Sequence, residues 1–229
     1  LDRAVSDYES PLFNVFKIIN LERLDAEAAH RLILDPWQSC VGEGADDQVT
    51  LQFTDDAVDA ILYETGCYPY FIQLLCNAIV DHINLTRTNY VQRGAVYQVI
   101  DKIIASRSAA YEHFAFLWDR ADGIGKVTLL VLLNQIESPN THELKHLVWQ
   151  RLHDRAIRAA PNVLSALYDE GLRQLQAVDA VESDNHNRYV FAIPLFRRLL
   201  LERKNHIDLW ANAFQELQAD LSRKEKYAG

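Results

Sequence analysis

The 229-residue chain reads as a mainly α protein: a small helical bundle, then a winged helix-turn-helix unit with a short β-hairpin and C-terminal helices. Three observations predict this. Apolar residues recur at helical spacing in most long segments, and strand-like alternation is scarce. The late stretch "AVDAVES-DNHN-RYVFAIP" holds two short strand-like runs around a polar turn, and it follows three helical segments. Pro36, Gly66, Pro69 and Pro161 stand where helices stop or start.

The first bundle is justified element by element. "VFKIINL", residues 15–21, is β-branched and apolar and reads as a strand or extended lead-in. In 25–36, Asp25 can cap, Glu27 lies in the first turn, and Pro36 is expected to stop the helix. Residues 40–48 read as a loop. The helix 54–65 opens with Thr54 as cap and acidic residues matched to the helix dipole, with Ala57, Val58, Ile61 and Leu62 at helical spacing. The helix from Pro69 to about Thr86 is apolar on most sides and reads as the core helix of this unit. A fourth helix covers roughly 94–106, completing a bundle with no strong strands.

From Ser108 the pattern changes. "AYEHFAFLWDRA" is helical, "DGIG" is expected to break it, and "KVTLLVLLNQI" is an apolar helix. A second helix runs over 141–159 with one basic side. A third runs over 161–176 with Pro161 at an early position. The hairpin follows, then closing helices in "PLFRRLLLERK" and "HIDLWANAFQELQADL". No internal repeat or low-complexity tract appears.

Bulk composition narrows the function. Apolar residues make up 49% and charged residues 24%, an ordinary soluble balance. No apolar run is long enough to cross a bilayer, and residues 1–20 lack the profile of a signal peptide. Cys40, Cys67 and Cys76 are odd in number and scattered, which fits reduced thiols in the cytoplasm. The start at Leu1 and the absence of methionine point to a piece of a longer protein. The net charge of −9 is uneven: residues 1–119 hold 8 basic and 18 acidic side chains, residues 120–205 hold 12 and 10. An acidic half and a mildly basic half suggest two modules with different partners.

Several constellations invite chemistry. "GIGKVT", 123–128, lacks a phosphate loop's first glycine, where Arg120 stands, and its hydroxyl, where Val127 stands. It therefore reads as a helix break with a solvated Lys126. His142, His146 and His153 share one helical face, but the spacing around Glu143 is not that of a zinc protease, so no metal site is assigned. No catalytic residue is identified; a G-x-S-x-G nucleophile elbow is absent. Arg151, Arg155 and Arg158 form a basic strip, and Arg188 sits on the wing, so these four are candidates for nucleic-acid contact. Against them, the presumptive recognition helix, 161–175, carries Asp169 and Glu170 against Arg173 alone. The stretch "TGCYPYFIQLLC", 65–76, crowds Gly66, Tyr68, Pro69 and Tyr70 at a helix mouth. That mouth suits an aromatic ring bearing phosphates, or forms a tight corner between helices.

"SPLFNVFKIINLERLDAEAAHRLILDP", "YETGCYPYFIQLLCNAIV" and "YVFAIPLFRRLL" together resemble the prokaryotic AAA+/STAND-type ATPases, whose second motif is close to T-G-G-x-P-Y-x-x-Q-x-L-C. The resemblance spans nearly the whole chain in order. It implies a helical lid over 21–107 and a winged helix over 108–205. Residues 1–20 would be the tail of a nucleotide-binding domain, and 206–229 a C-terminal helix. It implies ATP as cofactor, with Gly66, Tyr68 and Pro69 at the nucleotide, Pro69 touching the base, and Cys67 standing where the family has its second glycine. The phosphate loop and magnesium ligands would lie before residue 1, so this chain alone would bind ATP weakly and hydrolyse none. Implied partners are the upstream nucleotide-binding domain, DNA or protein at the winged helix, and further copies of the chain. A winged-helix DNA-binding regulator with a helical dimerisation domain is the alternative, and a pure scaffold the third reading.

Overall fold

The computed structural model describes residues 23–38, 51–106, 117–204 and 208–227. The lead-in expected at 15–21, the loop at 40–48 and most of the helix expected over 110–121 lie outside these residues. Among the described residues the chain is mainly helical, with two small two-stranded sheets.

The first group packs α1 (Ala26–Gln38), α2 (Asp55–Thr65), α3 (Pro69–Thr86) and α4 (Arg93–Ser106) around Ile33, Ile61, Ile72, Leu75, Ile79 and Ile100. Each of these helices offers one apolar stripe, and none is stable without the others because short helices draw their stability from packing. Asp25 caps α1 as expected, its Oδ1 accepting the Ala28 N–H at 2.7 Å. Pro36 does not stop α1; it lies inside the helix, which runs on to Gln38. Thr54 occupies the N-cap position of α2, but its hydroxyl donates to the Asp56 carboxylate and to the Val91 carbonyl rather than accepting a helix N–H. A feature not expected is the parallel pair β1 (Gln52–Phe53) and β2 (Tyr90–Val91), too short to leave an alternation in sequence.

The second group centres on α5 (Gly123–Leu133), all of whose residues are buried. Asp122 caps it, accepting the Gly125 N–H at 2.8 Å. The "DGIG" stretch is therefore a helix start, not a break, and Lys126 is buried rather than solvated. Its ammonium binds both Glu216 oxygens at 2.6 Å and lies 5.6 Å from the Trp118 ring centroid. Around α5 pack α6 (Thr141–Asp154), α7 (Pro161–Ala177), α8 (Pro194–Lys204) and α9 (Leu209–Tyr227). The second basic helix ends at Asp154, five residues earlier than the sequence pattern suggests, and Ala156 takes a left-handed conformation just after it. At the α5–α9 crossing Gly123 is needed for space: a Cβ there would sit 2.2 Å from the Leu217 nitrogen. The Gly123 N–H donates to Asp220 of α9. The last helix is thus part of this core.

The hairpin of β3 (Val181–Ser183) and β4 (Tyr189–Phe191) is antiparallel, with Val181 opposite Phe191. Its far edge meets the α5–α6 connection: Asn140 bridges Arg188, and the Tyr189 N–H donates to the Pro139 carbonyl at 2.9 Å. No helix among the described residues is long and apolar enough to cross a membrane.

Candidate functional site

The candidate site is the turn between α2 and α3. Gly66 and Cys67 are both left-handed, at φ +59 and +62. Two such residues in succession reverse the chain within one turn. Their N–H groups close the end of α2 onto the Tyr63 and Leu62 carbonyls. The resemblance places a glycine where Cys67 stands, and the backbone here has the conformation that favours glycine. Pro69 then opens α3 at the first helical position, where its missing N–H costs nothing.

The two ends of this turn point in different directions. Gly66 faces the second group so closely that a Cβ would meet the Ala192 carbonyl oxygen at 2.2 Å. Tyr68 is buried and edge-on to Phe71, with Asp179 beyond α7 acting on its phenol. Burial, with Asp179 and Glu182 adding to it, pushes the Tyr68 phenol well above its usual range. Beside it Arg23 pairs with Glu182 of β3. Pro69, by contrast, is half-buried and Tyr70 is 44% exposed. Of the three residues assigned to the nucleotide, Tyr68 is buried, whereas Gly66, close against the Ala192 carbonyl, and Pro69 are both half-buried. Tyr70 stands beside Pro69.

One turn earlier lies a residue the sequence reading passed over. Glu64 is 0% exposed. The Arg198 Nε of α8 donates to its Oε2 at 3.1 Å, and Nη2 stands 2.8 Å from Oε1. The same guanidinium lies 5.1 Å from the Tyr97 ring centroid on α4. Burial raises the Glu64 carboxyl above its ordinary range, and Arg198 opposes the rise. Glu64 was findable: it shares the stripe of Ala57, Ala60 and Ile61 at helical spacing, and a carboxylate on an apolar stripe calls for a partner.

Pro69 and Tyr70 present accessible surface at the N-terminus of α3. Lys126, the cation of the glycine-containing stretch, is buried against Glu216 in another part of the fold.

The arginines assigned to nucleic acid do not gather into one patch. The Arg151 guanidinium lies 4.5 Å from the Trp210 ring centroid, and Arg155 5.5 Å from that of Phe214, so both lie over aromatics of α9. Arg158 is exposed just beyond α6. Arg188 is bridged to Asn140 at the opposite end of that helix, roughly 16 Å along its axis from Arg151. The carboxylates of α7 are offset locally. Lys145 bonds Ser165 and pairs with Asp169, and Arg173 pairs with Glu170.

His142 and His146 line a cleft of about 520 Å³ together with Arg188, Glu137, Glu143 and Leu147. Among the described residues no three His, Cys, Asp or Glu side chains stand together as a ready metal site. Cys67 and Cys76 are free thiols, and burial pushes Cys76 up to about 12. No family model, curated protein or solved structure matches this chain.

Proposed function

We propose that the chain is the lid and winged-helix portion of a cytoplasmic AAA+/STAND-type ATPase, relaying the state of bound ATP to a partner of the winged helix. In this reading the triphosphate and its magnesium are held by a nucleotide-binding domain upstream, and this portion contributes the adenine contact at Pro69. One observation carries the relay. The residues around the proposed adenine contact grip the second helical group at three points: Glu64 to Arg198, Gly66 to Ala192 and, beside Tyr68, Arg23 to Glu182. A ligand that shifts this turn must strain those contacts, which is the differential interaction a switch requires.

The order α5, α6, α7, β3, β4, with the α5–α6 connection bridged to the hairpin, supports the winged-helix assignment. The alternative, a DNA-binding regulator, calls for one basic face, and the arginines divide between the two ends of α6.

Hydrogen exchange of the chain with and without millimolar ATP tests the reading. Exchange should slow at 65–72 and change at 179–198, with no ATP hydrolysed. ATP that leaves both segments unaltered, or acts elsewhere, overturns it.

A further inference from the structure

Arg151 stands in the last turn of α6 and Arg155 caps its C-terminus; Trp210 and Phe214 stand one turn apart on α9. The two pairs are matched. The Arg151 guanidinium lies 4.5 Å from the Trp210 ring centroid and that of Arg155 5.5 Å from the Phe214 centroid. The two rings are stacked at 20°, with centroids 5.6 Å apart. Cation–π attraction over a ring positions a guanidinium without pairing its charge. Arg158 follows in the turn beyond α6. All three arginines are exposed, and none pairs with a carboxylate among the described residues. Beside Arg151 opens a cavity of about 210 Å³, lined by Trp210, Arg151, Asp154 and the amide residues Asn134, Gln135 and Gln150. That volume is smaller than the roughly 300–1,000 Å³ of pockets for drug-sized ligands and suits one planar ring system.

We propose that this end of α6, together with Trp210, binds single-stranded nucleic acid: Arg151, Arg155 and Arg158 take phosphates, and one base enters the cavity between Trp210 and the amides. Guanidinium groups that carry no carboxylate offer paired N–H donors to a phosphate. Aromatic and arginine surfaces stack bases with little regard to sequence. Amide side chains carry donor and acceptor together, as base edges do. The Gln135 amide is held in place by the Val131 carbonyl at 3.2 Å. A duplex fits less well. The helix α7 carries Asp169 and Glu170 against Arg173, and Arg188 stands at the far end of α6, so no continuous basic face follows two strands. An acidic peptide would satisfy the arginines but has no use for a ring-sized cavity with amide walls. The surface lies in the mildly basic stretch 120–205, and it is independent of the nucleotide reading.

The test follows the anisotropy of short fluorescein-labelled oligothymidylate and oligouridylate on the full chain, with no ATP added. A duplex of equal length and oligoglutamate of equal charge serve as competitors, and circular dichroism confirms that each variant is folded. A single strand should bind more tightly than the duplex. Its affinity should fall with salt at a logarithmic slope of about −2, from about −0.7 for each of the phosphates held. Arg155→Gln and Arg158→Gln should each weaken binding several-fold and make the slope shallower by about 0.7. Trp210→Leu should weaken it about tenfold with the slope unchanged, which a purely electrostatic surface would not show. Gln150→Ala, at an exposed position, should weaken it with the same unchanged slope. Arg188→Gln should alter neither affinity nor slope. The proposal is overturned if no strand binds at low salt, or if the variant with all three arginines replaced by glutamine binds equally well. It is equally overturned if the duplex or oligoglutamate displaces the strand at equal concentration, or if Trp210→Leu and Gln150→Ala both leave affinity unchanged.

Discussion

At the scale of single residues, the Glu64–Arg198 pair is the most consequential contact. Removing one partner of a buried pair strands the other charge, typically at about 3–5 kcal/mol. The Arg198 side chain is 41% exposed, so solvent screens part of this. Arg198→Met should therefore cost about 2–3 kcal/mol in urea unfolding, and adding Glu64→Leu should recover part of it. A double variant no more stable than Arg198→Met counts against a coupled pair. The pH dependence has a defined sign. Burial raises the folded Glu64 pKa above its unfolded value. The native state then holds this proton more tightly, so the stabilising contribution is greatest at low pH. It fades as pH rises from the ordinary carboxylate range through the folded value. Glu64→Gln should flatten that part of the stability profile, above the ordinary carboxylate range; an unchanged slope would assign the titration to another group, such as Asp122, which burial also raises.

At the scale of elements, the joint between α5 and α9 organises the second group. Truncation before Asp208 would strip Glu216 from Lys126 and uncover the Gly123 face of α5. The shortened chain should lose its cooperative thermal transition and bind a hydrophobic dye; a sharp melt would show α9 to be dispensable. This scale also separates what was legible in sequence from what was not. Apolar spacing and turn residues located α2, α3, α7 and the hairpin, because those signals are local. Lys126 was misjudged because its partner lies ninety positions later, and no local pattern announces a distant carboxylate. The β1–β2 pair was missed for a similar reason: two-residue strands have too few positions to alternate. The stretch 65–76 read as a helix end, a turn and a new helix, and the structure has that order. Which of its residues face inward depended on Ala192, and that contact is set by tertiary packing.

At the scale of the whole molecule, the two helical groups are held by few but specific contacts, among them α2 and α4 against α8. Native-state hydrogen exchange should give core amides of α3 and α5 a common free energy of global opening. In Arg198→Met the two should separate by more than about 1 kcal/mol. Distinct values already present in the unaltered chain would mean that the groups fold independently. The approach of Gly66 to the Ala192 carbonyl adds a geometric rule. Where main chain abuts main chain, no rotamer can change to absorb a lateral shift. Any side chain added at Gly66 would therefore have to push the two groups apart, because nothing at that seam can yield locally.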